Sequence, residues 1–283
     1  MARHDEREDD EIREMEVVYE RLDRVDGSSR FGFGQTQTLV SISGPIEARL
    51  ASESPSQAVL DIHVRPLASV PGTDAKALAA ILKSVLTPSL LLSHNPRTSV
   101  QIVGQALCGN ESGSGTGSVG RGWNASLIAS LINATSAALL SAGSIPMKGV
   151  VCAVAVGRLP NIGSTSSRLV LDPSEAESAL LTAGGCFAFL FSATVSEDQT
   201  LAHPEVPSCS LIWTNFAAAA SSFDQAELAN SIALARAGAV SVWQRLKDSV
   251  ADLESRAVPS LKRARKGKSA HISEEIDDEK MEI

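Results

Sequence analysis

The sequence predicts an α/β sandwich, and three observations predict it. Short segments rich in Val, Ile, Thr and Phe alternate in the manner of half-buried strands. Longer segments carry Leu, Ile, Val and Ala at helical spacing. The two kinds follow one another in the order β-β-β-α-β-α-β-β-β-β-α, which reads as one sheet system with helices packed against it.

Each element follows from its own residues. Asp26-Gly27-Ser28-Ser29 is a turn signal, because Gly27 tolerates positive φ and Asp and Ser side chains bond nearby backbone. Strands are predicted over residues 25–33 and 36–43, joined by Gly34-Gln35 and stopped by Gly44-Pro45. The stretch 58–66 alternates: Val59, Asp61, His63 and Arg65 on one side, Leu60, Ile62 and Val64 on the other. A helix starts at Thr73, with Leu78, Ile81, Leu82 and Val85 on one face, and runs to about residue 92 with an interruption at Pro88. A strand over 99–107 leads to the Gly/Ser-rich stretch 109–122, which reads as a flexible insertion. A long Ala/Leu/Ser helix over 124–142 ends at Gly143 and Pro146. Strands follow at 149–157, 167–171, 183–195 and 209–214, with a turn at Asp172-Pro173. The last helix begins near Ser222, in a capping-box pattern with Gln225, and extends to about Arg256.

The chain has 283 residues, 43% of them apolar but only 4% aromatic, so the core is built from Ala, Val, Leu and Ile. No run of eighteen apolar residues is present, so no membrane span is expected. The acidic start lacks the apolar core of a signal peptide, which points to cytosol or nucleus. Cys108, Cys152, Cys186 and Cys209 form no C-x-x-C pair, so zinc is not expected and free buried thiols are. The sequon-like Asn133 sits inside an apolar helix pattern. Net charge is −8, against autonomous nucleic-acid binding through a basic face. Acid is concentrated at the ends: residues 1–16 hold eight acids against three arginines, so a local basic rim on the body is compatible with the total. Three parts are expected: a disordered acidic head over 1–16, a folded domain over 17–257, and a disordered charged tail over 258–283. In the tail, Lys262 to Lys268 forms a basic cluster of the nuclear-import or RNA-touching kind.

The stretch from Asp26 to Arg49 reads D-G-S-S-R-F, then T-L-V-S-I-S, then G-P-I-E-A-R. It resembles the opening of the RNase PH family, and Leu139 to Met147 followed by the strand over 149–157 resembles a second family motif. The resemblance runs from about residue 20 to residue 250. It implies the RNase PH fold, related to the second domain of ribosomal protein S5. Active members bind the attacking phosphate with an Arg at the start of the long helix, where the N-terminus offers free N–H groups. Counted back from Ala142-Gly143, that Arg falls on Ile128, and the small residues before it on Ser126 and Leu127. Arg121 is a nearby but misplaced substitute. The family's two aspartates fall on Ser178 and Gly184, neither of which binds a metal as a carboxylate or moves a proton at neutral pH. Asp172 reads as a turn residue and Glu177 as part of a solvated face.

What remains for function is charge. The family's RNA-facing Arg in the first long helix maps to Lys76, with Lys83 and Arg97 as further candidates for phosphate contact. Gly115 to Gly120 spells G-x-G-x-x-G, but no acidic residue ends the next strand to hold a ribose, so a dinucleotide enzyme is disfavoured. The resemblance therefore implies a non-catalytic RNase-PH-like subunit of the eukaryotic RNA exosome, without cofactor or metal. It would pair with related subunits in a six-membered ring under RNA-binding cap subunits, with single-stranded RNA passing through the pore. Nucleus, nucleolus and cytoplasm are the implied locations. The alternative is an active phosphate-dependent 3′–5′ exoribonuclease.

Overall fold

The hairpin signal at the start of the chain becomes the centre of a five-stranded sheet. The computed structural model describes residues 3, 5–67, 70–108, 125–160, 167–192, 207–218 and 224–279. Within them, β1 (Met15–Val18), β2 (Gly27–Phe33), β3 (Thr36–Glu47), β4 (Val59–Arg65) and β5 (Thr98–Cys108) pair in the order β1-β2-β3-β5-β4. All pairs are antiparallel except β4 with β5, which are connected by the crossover helix α1 (Thr73–Leu86). A second sheet holds β6 (Val150–Pro160), β7 (Ser167–Leu171), β8 (Ala183–Phe191), β9 (Cys209–Thr214) and β10 (Ala217–Ala218). The helices are completed by α2 (Ala125–Ala142), the four-residue α3 (Glu175–Ser178) and α4 (Gln225–Glu279). The α/β sandwich is therefore as expected, but it has two sheets rather than one sheet system.

Helix α2 explains why two sheets form one core. It is the one described helix long and apolar enough to cross a bilayer, yet 72% of it is buried in the fold. It packs against β2 and β3 on one side and β6 and β8 on the other. Gly27 permits the first contact: a Cβ there would lie 2.4 Å from the Ala138 carbonyl oxygen. The small polar residues of α2 bond to both sheets. Ser130 Oγ donates to the Phe31 carbonyl at 2.9 Å, and Ser29 Oγ donates to the Ala134 carbonyl at 2.6 Å. On the far side, the buried Asn133 donates to the Ala153 carbonyl at 2.8 Å and accepts from the Ala153 N–H at 2.7 Å. Ser136 donates to the Val151 carbonyl at 2.6 Å. β7 pairs with β6 only from Val156 onward, so Asn133 and Ser136 do for residues 151 and 153 what a neighbouring strand would do.

Several element ends differ from the sequence reading for local reasons. α1 stops at Leu86, and Pro88, which has no N–H, leads a one-turn 3₁₀ helix at Thr87–Ser89 instead of a continuation to residue 92. β3 continues past Gly44-Pro45 because a bulge takes up one extra residue between Ser43 and Ile46, a place where a sheet accommodates proline. Cys152 and Cys186 are buried free thiols, and burial pushes both up; Cys209 is half-buried. α4 packs on the second sheet through Ala235, Ala239, Val242 and Leu246, with Arg158 of β6 bonded to Glu227 at 3.0 Å and Phe191 of β8 stacked on Trp243. Residues 247–283 form a separate unit, in which α4 runs to Glu279, beyond the end near Arg256 that the sequence suggested.

Candidate functional site

Three elements converge where chemistry would be expected: the first turn of α2, the turn after β7, and α3. β7 ends when Leu171 N–H donates to the Asp9 carbonyl and Asp172 N–H to the Ala155 carbonyl, at 2.7 and 2.8 Å. Asp172 then takes a φ of 46°, in the left-handed region that Asp enters more readily than most residues. Pro173 follows, and Glu177 folds back so that its Oε2 accepts the Ser174 N–H at 2.8 Å, fixing the start of α3.

Glu177 is not on a solvated face: it is 4% exposed, and Asp172 is 1% exposed. Both carboxylates are filled by arginines from the head. Arg3, itself buried, donates Nε and Nη2 to Glu177 at 3.0 and 2.9 Å, a bidentate pair. Its Nη1 reaches the Leu171 carbonyl at 2.9 Å and its Nη2 the Asp172 carbonyl at 3.0 Å. Arg13 takes the Asp172 side chain in the same forked manner, Nε to Oδ2 at 2.7 Å and Nη2 to Oδ1 at 2.6 Å. Ser126 Oγ adds a bond to Asp172 Oδ1 at 3.1 Å, and Arg7 Nη2 donates to the Asp172 carbonyl at 3.2 Å. Burial alone pushes the Glu177 carboxyl up; the Arg3 guanidinium and the Ser174 N–H outweigh it and hold it down at about 2.

Residues 3 and 5–14 of the head are thus held against the fold, where charge alone suggested an unstructured segment. Gly34 N–H donates to the Glu14 carbonyl at 2.9 Å, Arg168 pairs with Asp9 at 3.2 Å, and Ile12 packs against the core. Residues 15 and 16, assigned to the head by charge, open β1. The signal was present as three arginines at positions 3, 7 and 13 among eight acids; Arg7 also pairs locally with Asp5, but the bonds to Asp172 and Glu177 span 159 to 174 positions and leave no local pattern.

The positions that family resemblance marks as catalytic lie as follows. Ile128 is 1% exposed and belongs to the core cluster. Ser178 ends α3, and its Oγ donates to the Glu175 carbonyl at 2.9 Å. Gly184 lies in β8 between Gly157 and Ala217, where an added Cβ would meet the Val156 carbonyl oxygen at 3.3 Å. Arg121 and the stretch Gly115 to Gly120 lie outside the described residues.

Lys76 and Lys83 are exposed on α1, two helical turns apart on one face, about 10 Å along the axis. Arg97 is 72% exposed on its side chain and pairs with Glu53 at 3.3 Å. It precedes β5, beside the start of β4, whereas α1 begins beyond the end of β4, about 20 Å away for a seven-residue strand. Lys76 and Arg97 are therefore at opposite ends of the sheet, with Lys83 between them.

The chain resembles known proteins in sequence and in fold. Residues 11–144 match the family model described as the 3′ exoribonuclease family, domain 1, the RNase PH domain. The chain is 33% identical over 153 residues to the exosome complex component RRP46 of Saccharomyces cerevisiae, covering 54% of this chain and 63% of that protein. It is 29% identical over 176 residues to a protein of Oryza sativa named exosome complex exonuclease RRP46 homolog, covering 62% of this chain and 66% of that one. The matched stretch thus spans just under two thirds of either relative. The crystal structure of rice Rrp46 superposes with a TM-score of 0.69 at 24% identity, covering 87% of this chain and 99% of that chain.

Proposed function

We propose that this chain, an RNase PH-family protein in its fold and in the match over residues 11–144, is a non-catalytic ring subunit of the eukaryotic RNA exosome, of the ribosomal RNA-processing protein 46 type. Its work is architectural. It pairs with a related RNase-PH-like subunit, closes a six-membered ring beneath the RNA-binding cap subunits, and lines part of a pore that leads single-stranded RNA to a separate nuclease. The processes served are 3′-to-5′ RNA degradation and ribosomal RNA processing, in nucleus, nucleolus and cytoplasm.

One observation carries the non-catalytic reading. The position onto which the family's phosphate-binding Arg maps is a buried isoleucine, Ile128, and the two carboxylates in this corner, Asp172 and Glu177, are paired with Arg13 and Arg3. A phosphorolytic site needs a fixed cation for phosphate and an open carboxylate for metal or proton. The alternative, an active phosphate-dependent exoribonuclease, has the family's description and the name of the rice relative in its favour. In this corner, both carboxylates it would use are already paired with arginines.

In the ring, Lys76 and Lys83 contribute to the RNA path through phosphate charge, with Arg97 at the other end of the same sheet. Affinity purification of the tagged chain from its own cells, with stoichiometry by quantitative mass spectrometry, tests the assignment. Equimolar recovery of other RNase-PH-like subunits is expected. Recovery of the chain alone, or as a homo-oligomer only, contradicts it.

A further inference from the structure

The corner built by Leu171, Asp172, Glu177 and Ser126 is a receptor for guanidinium groups, and the chain's own head fills it. Two backbone carbonyls and two carboxylates turn toward the head within seven residues of chain. Arg3 meets both carbonyls and both oxygens of Glu177 with three donor nitrogens, and Arg13 meets the Asp172 carboxylate with both edges of its fork. Planar, bidentate matching of this kind is specific to arginine; an ammonium lacks the fork.

The segment that supplies the arginines belongs to the same compact unit as the core but joins it through little apolar surface. Residues 5–14 form no helix or strand, and Ile12 alone of that stretch packs against the hydrophobic core. Among the described residues, every strand and helix starts at Met15 or later. The head is therefore held chiefly by charged side chains in one corner and by a few backbone bonds.

We propose that residues 3–13 are a displaceable arginine strap, and that the corner beneath it is a binding site for arginine side chains that a second arginine-bearing segment fills in trans when the strap is out. The inference rests on the strap geometry, independently of the ring assignment, and the outcome of an RNA-degradation assay does not enter it.

The full-length R3Q/R7Q/R13Q variant leaves the corner without its guanidinium partners. A fluorescent peptide of residues 1–14 is titrated against this variant and against the unaltered chain by anisotropy. Saturable binding to the variant is expected, with at least tenfold weaker binding to the unaltered chain, whose site is filled. A peptide carrying R3K and R13K is expected to bind the variant at least tenfold more weakly than the arginine peptide. Equal binding of the lysine peptide, or no binding to a folded variant, overturns the proposal. Hydrogen exchange on the unaltered chain decides the matter if the variant does not fold. Amides of residues 5–14 should exchange at least tenfold more slowly than in the free peptide, and should open at lower denaturant than β2 and β3. Exchange as fast as in the free peptide, or opening only together with β2, overturns the strap.

Discussion

Replacing Glu177 by Gln tests the geometry of this corner at a single position. Glu177 is 4% exposed, and its carboxyl is held at about 2 against an ordinary value of 4.5. A depressed carboxyl contributes stability that is complete above the unfolded-state value and lost as pH falls through the folded-state value. The full contribution at pH 7 is about 3 kcal/mol, since each unit of displacement corresponds to roughly 1.4 kcal/mol. By the same linkage about half of it is gone at pH 3. Urea unfolding of the unaltered chain and of E177Q, followed by far-ultraviolet circular dichroism from pH 7 to pH 2.5, reads both numbers. The variant should be about 3 kcal/mol less stable at pH 7, with the gap closing mainly between pH 4.5 and pH 2.5. A variant as stable as the parent at pH 7, or a gap that stays constant down to pH 2.5, would refute the ion pair with Arg3 as the cause.

Two further outcomes follow from named contacts. Asn133→Ala leaves the buried N–H and carbonyl of Ala153 unpaired and should cost about 3 kcal/mol in a denaturant titration, far more than an exposed Asn on a helix. Reversing Lys76 and Lys83 to Glu in a reconstituted ring should weaken single-stranded RNA binding more at low salt than at high, and equally for different RNA sequences. Filter binding across a salt series checks this, and unchanged affinity makes the two lysines ordinary surface charges.

How much of this was legible in the sequence depended on whether the signal was local. The hairpin from Gly27 to Ser43 announced itself through alternation and turn residues, and so did α1 and the alternating β4, whereas the continuation of β3 to Glu47 past Pro45 did not. Asn133 looked out of place in an apolar helix; what it does became visible only when α2 was seen along the unpaired edge of β6. β1 escaped because its four residues follow an acidic run and gain their meaning from pairing with β2. Asp172 was legible as a turn residue, and its φ of 46° agrees. Glu177 was misread, because an acid near a turn is exposed by default unless a cation is buried beside it, and Arg3 lies 174 positions away in the chain. The second sheet was invisible for a similar reason: β6 is buried from Val151 to Leu159 and β8 along its whole length, and a continuous apolar run does not say which layer it joins.

The proposal that this chain makes no phosphorolytic cut is tested most directly by product formation. The purified chain, alone and within a ring reconstituted with its partners, is incubated with end-labelled single-stranded RNA, inorganic phosphate and Mg²⁺, and released nucleotides are separated by thin-layer chromatography. No nucleoside diphosphate attributable to this chain is expected, because Ile128 offers no cation to phosphate and Asp172 and Glu177 are held by Arg13 and Arg3. Steady release of nucleoside diphosphates that is abolished by D172N, in a variant shown to remain folded, would contradict the account.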